Sequence, residues 1–231
     1  MNELELQVNT GKTKTMIIRG RRDSSSNAVF TFNNVTLEQV KDFKYLGCII
    51  NQSLTENADI QRVTNGFNKS IGCFFRKFSG VHLTVKECLF ESLCMSLYGM
   101  ETIVNRKGCK RDLDRLGISY HYAVKRLMGL PKFYSNHHAC ALLGKLTFAN
   151  LMNWRTVKFF IGLCKSESPC LTRLRTYISR FSNLYAAVRS LMFEKYSIVD
   201  IFDNDIDAVH SRICFIQARE PSSNYGVHPP M

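Results

Sequence analysis

Residues Phe43 to Phe78 read F-K-Y-L-G-C-I-I-N-Q-S-L-T-E-N-A-D-I-Q-R-V-T-N-G-F-N-K-S-I-G-C-F-F-R-K-F. The hydrophobic period changes part-way through this stretch. Lys44 to Ile50 is short, apolar and partly β-branched, which predicts a strand. From Ile60 onward the apolar residues Ile60, Val63, Phe67, Ile71, Phe74 and Phe78 recur every three or four positions, which predicts five turns of amphipathic helix. Arg62, Lys69, Arg76 and Lys77 fall largely off that stripe. The chain therefore turns from strand to helix near residues 51–58.

Upstream, Thr15 to Ile18 and Ala28 to Val35 read as two further strands. In the second, Val29 and Thr31 fall on one face and Phe30 and Phe32 on the other. Arg19 to Asn27, basic and then Ser-rich, reads as the solvated loop of a hairpin between them. Three short strands with apolar residues on both faces need a covering layer or further strands. Either the helices cover this sheet or part of the fold precedes Met1.

Downstream the pattern is helical. A capping-box pattern, Thr84 with Glu87, opens a helix expected to bury Val85, Leu89, Leu93 and Leu97. A third helix runs from about Asp112 to Met128 and stops at Gly129-Leu130-Pro131. Another runs from about Phe148 to Lys165 with Leu151, Trp154, Val157, Ile161 and Cys164 inward, and a weaker one spans 171–196. The expected fold class is α+β: a small antiparallel sheet over 1–52, a mostly α-helical domain over 53–198, and an acidic then disordered tail over 199–231.

Composition narrows the function. The 231 residues are 45% hydrophobic and 22% charged, ordinary for a folded protein. No apolar run reaches the ~18–20 residues of a membrane span, and the acidic start M-N-E-L-E-L-Q-V-N is no signal or transit peptide. The formal charge is +12. It is concentrated: residues 60–180 carry net +14, whereas 1–59 are neutral and 181–231 carry −2. A central basic block predicts a polyanionic partner, nucleic acid before an acidic membrane. Nine cysteines, odd in number and scattered, read as reduced thiols of an intracellular protein.

Common catalytic motifs fail. Thr10-Gly11-Lys12-Thr13 lacks the earlier glycine of a phosphate loop, Leu6 standing in its place, and precedes a strand. Asp203, Asp205 and Asp207 alternate as in a calcium loop, but Ala208 and Cys214 occupy its Gly and Glu positions. His137, His138 and Cys140 lie close together without any C-x-x-C pair, so no metal site is assigned.

An ordered series of segments carries a resemblance. Asn9-Thr10-Gly11-Lys12-Thr13-Lys14 precedes an apolar strand, Phe43-Lys44-Tyr45-Leu46-Gly47 follows a hairpin, and Asp59-Ile60 opens a basic helix ending at Arg76-Lys77-Phe78. Ser96-Leu97-Tyr98, Leu127-Met128-Gly129-Leu130-Pro131-Lys132 and Cys164-Lys165-Ser166 come after. Over residues 1–175 the chain resembles the reverse transcriptases of LINE-type (non-LTR) retrotransposons. The resemblance implies a C-terminal palm-and-thumb portion of an RNA-directed DNA polymerase. Lys12 would lie near the incoming nucleotide as a candidate general acid, but only in an intact polymerase. Phe43, Lys44, Tyr45, Leu46 and Gly47 correspond to the primer grip. The helices after them, with Arg62, Lys69, Arg76 and Lys77, correspond to a thumb holding an RNA/DNA or DNA duplex.

The catalytic Tyr-x-Asp-Asp turn, with its expected Mg2+ ions, does not occur in this sequence, nor does any Asp-Asp pair. The expectation is a truncated element that does not polymerise DNA alone and has no cofactor of its own. Its expected setting is inside the cell, at chromosomal DNA in the nucleus. A non-enzymatic nucleic-acid-binding module, or a helical protein-interaction module, is the alternative. The sequence leaves the oligomeric state open.

Overall fold

The computed structural model describes residues 8–18, 28–97, 100, 110–181, 186, 188, 190–195 and 206–219. The chain is mixed α+β and divides into two compact units, Met1–Arg62 and Val63–Met231. The division falls inside the first helix, a few residues after the strand-to-helix change read from the hydrophobic period.

Among the described residues, the first unit holds six strands in three separate two-stranded ladders. β1 (Lys14–Thr15) pairs in parallel with β4 (Glu38–Gln39), and Lys14 forms an ion pair with Glu38. β2 (Thr31–Phe32) and β3 (Val35–Thr36) form a hairpin, as do β5 (Asp42–Tyr45) and β6 (Cys48–Asn51). This corrects the expectation of one antiparallel sheet of three strands. Two stretches read as single strands are hairpins, because alternation continues through a two-residue turn. Asn33 and Asn34 have φ of 48° and 62°, and Leu46 and Gly47 have φ of 46° and 89°. Two consecutive left-handed residues make the tight turn whose twist matches paired strands. Asn tolerates that region and Gly adopts it freely, whereas Leu46 is strained there. The loop expected at Arg19–Asn27 lies outside the described residues.

α1 (Asn57–Lys77) begins in this unit. Asn51 receives the chain before it: its Oδ1 accepts from Thr55 N at 2.8 Å and its Nδ2 donates to Thr55 Oγ1 at 2.6 Å. In the first turn Asp59 is buried, and its Oδ1 accepts from Ile49 N of β6 at 2.8 Å.

The second unit is helical. The expected stripe of α1 is buried at Val63, Phe67, Ile71 and Phe74, joined by Phe75. α2 (Leu83–Cys94) starts after His82, so Thr84 lies inside the helix and the capping box does not form. Its inward face is Phe90 and Cys94, while Val85 and Leu93 are half exposed. The face is rotated from the expected one because Phe90 completes an aromatic cluster, edge-on to Phe67 at 6.5 Å and Phe74 at 5.8 Å. α3 (Lys110–Leu127) ends as expected at Gly129, φ +68°. Leu130 N donates to Lys125 O at 2.9 Å and Gly129 N to Arg126 O at 3.2 Å, a Schellman closure. α4 (Asn136–Leu142) closes the same way at Gly144.

α5 (Phe148–Lys165) has the expected bounds, with Val157 and Ile161 fully buried. α6 (Pro169–Phe181) and a π turn at Leu191–Lys195 occupy parts of the weaker helix read over 171–196; residues 182–185 lie outside the described residues.

The tail departs most from expectation. Ile206–Arg219 forms α7, and its Val209 and Ile213 join Leu146, Val157, Phe160, Ile161, Val188 and Met192 in one core. The tail beyond Arg219, like Asp203 and Asp205, lies outside the described residues.

Polar chemistry fixes the start of α5. Gln217 of α7 is buried, and its Oε1 accepts from Thr147 N at 2.8 Å and Asn150 Nδ2 at 3.2 Å. Its Nε2 donates to Lys145 O at 3.0 Å. From α3, His121 Nε2 accepts from Phe148 N at 3.2 Å and Tyr120 donates to Leu146 O at 2.7 Å. The Phe148 ring lies over Gly117, where a Cβ would meet it at 2.9 Å. Thr147 makes no side-chain cap of its own. Side chains distant in sequence therefore satisfy the first amides of α5.

Candidate nucleic-acid interface

In the first unit, Asn9 organises the Lys12 segment. Lys12 N donates to Asn9 Oδ1 at 3.1 Å, Thr13 N to Asn9 O at 3.0 Å, and Thr13 Oγ1 to Asn9 O at 2.9 Å. The Asn and Thr of this motif close a turn, and Lys12 stands exposed on it.

The Phe43–Gly47 segment forms strand β5 and its turn. Phe43 pairs with Ile50, Lys44 with Ile49 and Tyr45 with Cys48. Phe43 and Tyr45 share one face and Lys44 lies on the other. Phe43, Tyr45 and Leu46 are all exposed, Leu46 at 78%. A Cβ on Gly47 would meet nothing within 4 Å, so its backbone conformation, not close packing, requires glycine.

The basic residues of α1 divide into two kinds. Arg62 Nε donates to Asp59 Oδ1 at 2.7 Å, and that bond holds its guanidinium still more firmly protonated against the opposing effect of burial. Its Nη2 is buried, with no acceptor among the described residues. Arg62 is thus committed inward, its charge offset by Asp59. Lys69, Arg76 and Lys77 belong to the second unit and are exposed. Lys69 and Arg76 are seven residues apart, two turns along nearly the same line of the helix, so their charges are spaced ~10 Å apart.

The second unit also contains an open groove of about 680 Å³ that sequence reasoning did not find. Asn68, Ile71 and Gly72 of α1 form one wall; Ile118, Tyr122, Lys125 and Arg126 of α3 form much of the other. Lys132, after the Gly129 closure, also lines it. Lys125 is buried, with its pKa lowered by desolvation, and donates from Nζ to Lys132 O at 2.9 Å. Arg126 stacks on Phe75, its guanidinium carbon 4.4 Å from the ring centre. His121, also on the groove, is pushed down to about 4 by burial and then by the charge of Lys125. It is neutral at physiological pH, as its accepting Nε2 requires. The signal for this site was present in Leu127 to Lys132, where a helix stop is followed at once by lysine.

The chain matches no protein-family model, no curated protein and no solved structure.

Among the described residues no three His, Cys, Asp or Glu side chains come together as a metal-holding group. His137 Nε2 is engaged with Gln217 O at 2.9 Å. Burial pushes the Cys140 thiol up to about 12 and Cys94 up to about 11, which keeps both protonated and poorly nucleophilic. The eight described cysteines are free. No helix among the described residues is long and apolar enough to cross a membrane.

Proposed function

We propose that the chain is a palm-and-thumb portion of a LINE-type reverse transcriptase that grips a primer–template duplex and leaves phosphoryl transfer to aspartates it does not carry. The observation that carries the reading is the exposed row Lys69, Arg76 and Lys77 on the part of α1 that belongs to the basic second unit. Lysine and arginine in such a row track phosphates without reading sequence. The β5–β6 hairpin presents Phe43, Tyr45 and Leu46 to solvent, consistent with a grip on a primer rather than service in a core. Lys12 is exposed on its turn, the condition for contacting a nucleotide in a complete enzyme.

The test is fluorescence anisotropy of an RNA/DNA hybrid with the full chain across a salt series. The expected result is binding that falls steeply with salt. Reversing Lys69, Arg76 and Lys77 to Glu should reduce the slope of log K against log salt by roughly 2–3. No binding at low salt, with circular dichroism reporting intact helices, would overturn the reading.

A further inference from the structure

We propose that the groove between α1 and α3 is a second nucleic-acid site, built for an unpaired strand rather than for the duplex. This rests on the nucleic-acid reading above but concerns a different surface. None of the described lining residues is acidic, while Lys125, Arg126 and Lys132 are cationic. Arg126 and Lys132 are exposed and can meet phosphates; Lys125 is a positioning residue, buried and tied to the Lys132 carbonyl. The contact of the Arg126 guanidinium with the Phe75 ring, 4.4 Å from its centre, holds the cation at the groove, where its N–H groups can meet an anion.

Charge alone would suit any polyanion. The other lining residues narrow the choice. Tyr122 is 46% exposed and Ile118 69% exposed, which places an aromatic ring and an aliphatic side chain beside the cations. A duplex keeps its bases stacked inside and offers such a ring only its backbone. An unpaired strand offers a base face, and a positive groove with an aromatic platform is how single strands are held. Asn68, Ser119 and Asn136 add hydrogen-bonding groups that suit base edges or sugars. The volume of about 680 Å³ lies within the range of ligand clefts. Gly72 lines the α1 wall, and a Cβ there would meet nothing within 4 Å, so a larger side chain can be placed at that position.

The test uses the full chain with two probes, a labelled oligodeoxythymidine and the RNA/DNA hybrid, measured by anisotropy. Tyr122→Ala should weaken the oligonucleotide about ten-fold while Tyr122→Phe preserves it, with hybrid binding changed less than about two-fold. Lys132→Glu should weaken the oligonucleotide and lower its salt slope by about 1. Gly72→Leu, which adds an aliphatic side chain to the groove lining without altering charge, should weaken oligonucleotide binding and spare the hybrid. Helical circular dichroism checks that each variant folds.

The proposal is overturned if Tyr122→Ala and Gly72→Leu leave oligonucleotide binding unchanged, or weaken both probes equally. If the chain binds the hybrid and never the oligonucleotide, the groove proposal falls and the duplex reading stands. If it binds only the oligonucleotide, and through Tyr122, the duplex reading falls and the groove proposal stands.

Discussion

The two units of this chain hold themselves together by different means. The second buries whole aromatic and aliphatic side chains: Phe90, Leu97, Leu116, Val157, Ile161 and Ile213 are each at most 2% exposed. The first has ladders of two or four residues, and Val29, Phe30, Phe32, Val35, Tyr45 and Leu46 remain exposed. Two-stranded ladders are marginal in water by themselves. In the first unit order comes chiefly from local devices: the Asn9 turn, the two left-handed hairpin turns and the Asp59 bond to β6. In the second, local order serves a shared core. Hydrophobicity in the sequence is therefore not burial in the structure, and the two regions should respond differently to the same kind of substitution.

The largest contrast comes from truncating aromatic residues. Phe90→Ala removes the ring that meets Phe67 and Phe74 and should cost about 3–5 kcal/mol, read as a lowered urea midpoint of the helical signal. Tyr45→Ala, at a 57% exposed position, should cost less than about 1 kcal/mol. Equal losses at the two sites would erase the distinction.

Acid should come next. His121 has a folded pKa pushed down to about 4 against an ordinary value of 6.5. Above 6.5 both folded and unfolded forms are neutral, and the contribution is complete. As pH falls from 6.5 to 4 the unfolded chain gains a proton that the folded chain refuses. Stability should decline through that window by on the order of 3 kcal/mol, with no further loss from this group below it. His121→Gln should remove this slope in a urea titration repeated across pH.

Loss of the Gln217 clamp is expected to cost about 2 kcal/mol in Gln217→Leu, because Thr147 N loses its acceptor in the interior. Hydrogen exchange at the first amides of α5 should accelerate more than at its middle.

The smallest effect has the opposite sign. Leu46→Asn places a residue suited to φ of 46° before Gly47 and should stabilise the hairpin by about 0.5–1 kcal/mol, visible as slowed exchange along β5 and β6. No change in exchange there would mean that the turn does not limit the first unit.

The sequence made some of this legible. α5 declares both ends, and Gly129-Leu130-Pro131 stops α3, because helix periodicity and terminators act locally. The α1 stripe is equally local. The face of α2 was not legible, since Phe90 is chosen by Phe67 and Phe74 on another helix. α7 was hidden by the Asp203, Asp205 and Asp207 run that leads into it and the Pro-containing stretch after it, although Val209, Ile213 and Ile216 keep helical spacing. The groove was beyond periodicity altogether: it combines residues of α1 and α3 with Lys132, which only tertiary packing brings together. Of the site residues read from sequence, Lys12, Lys44, Lys69, Arg76 and Lys77 are exposed, while Arg62 is diverted to Asp59.

The Gln217 clamp has a consequence for how the protein is made. Thr147 N waits for an acceptor seventy residues downstream. A ribosome that has delivered α5 has not yet delivered the side chain that completes it, nor Val209 and Ile213, which cover its apolar face. Synthesis proceeds at about 5–20 residues per second. For several seconds the nascent chain must therefore carry Val157, Phe160 and Ile161 without their final neighbours. That interval is when a chaperone or a protease would compete for this chain.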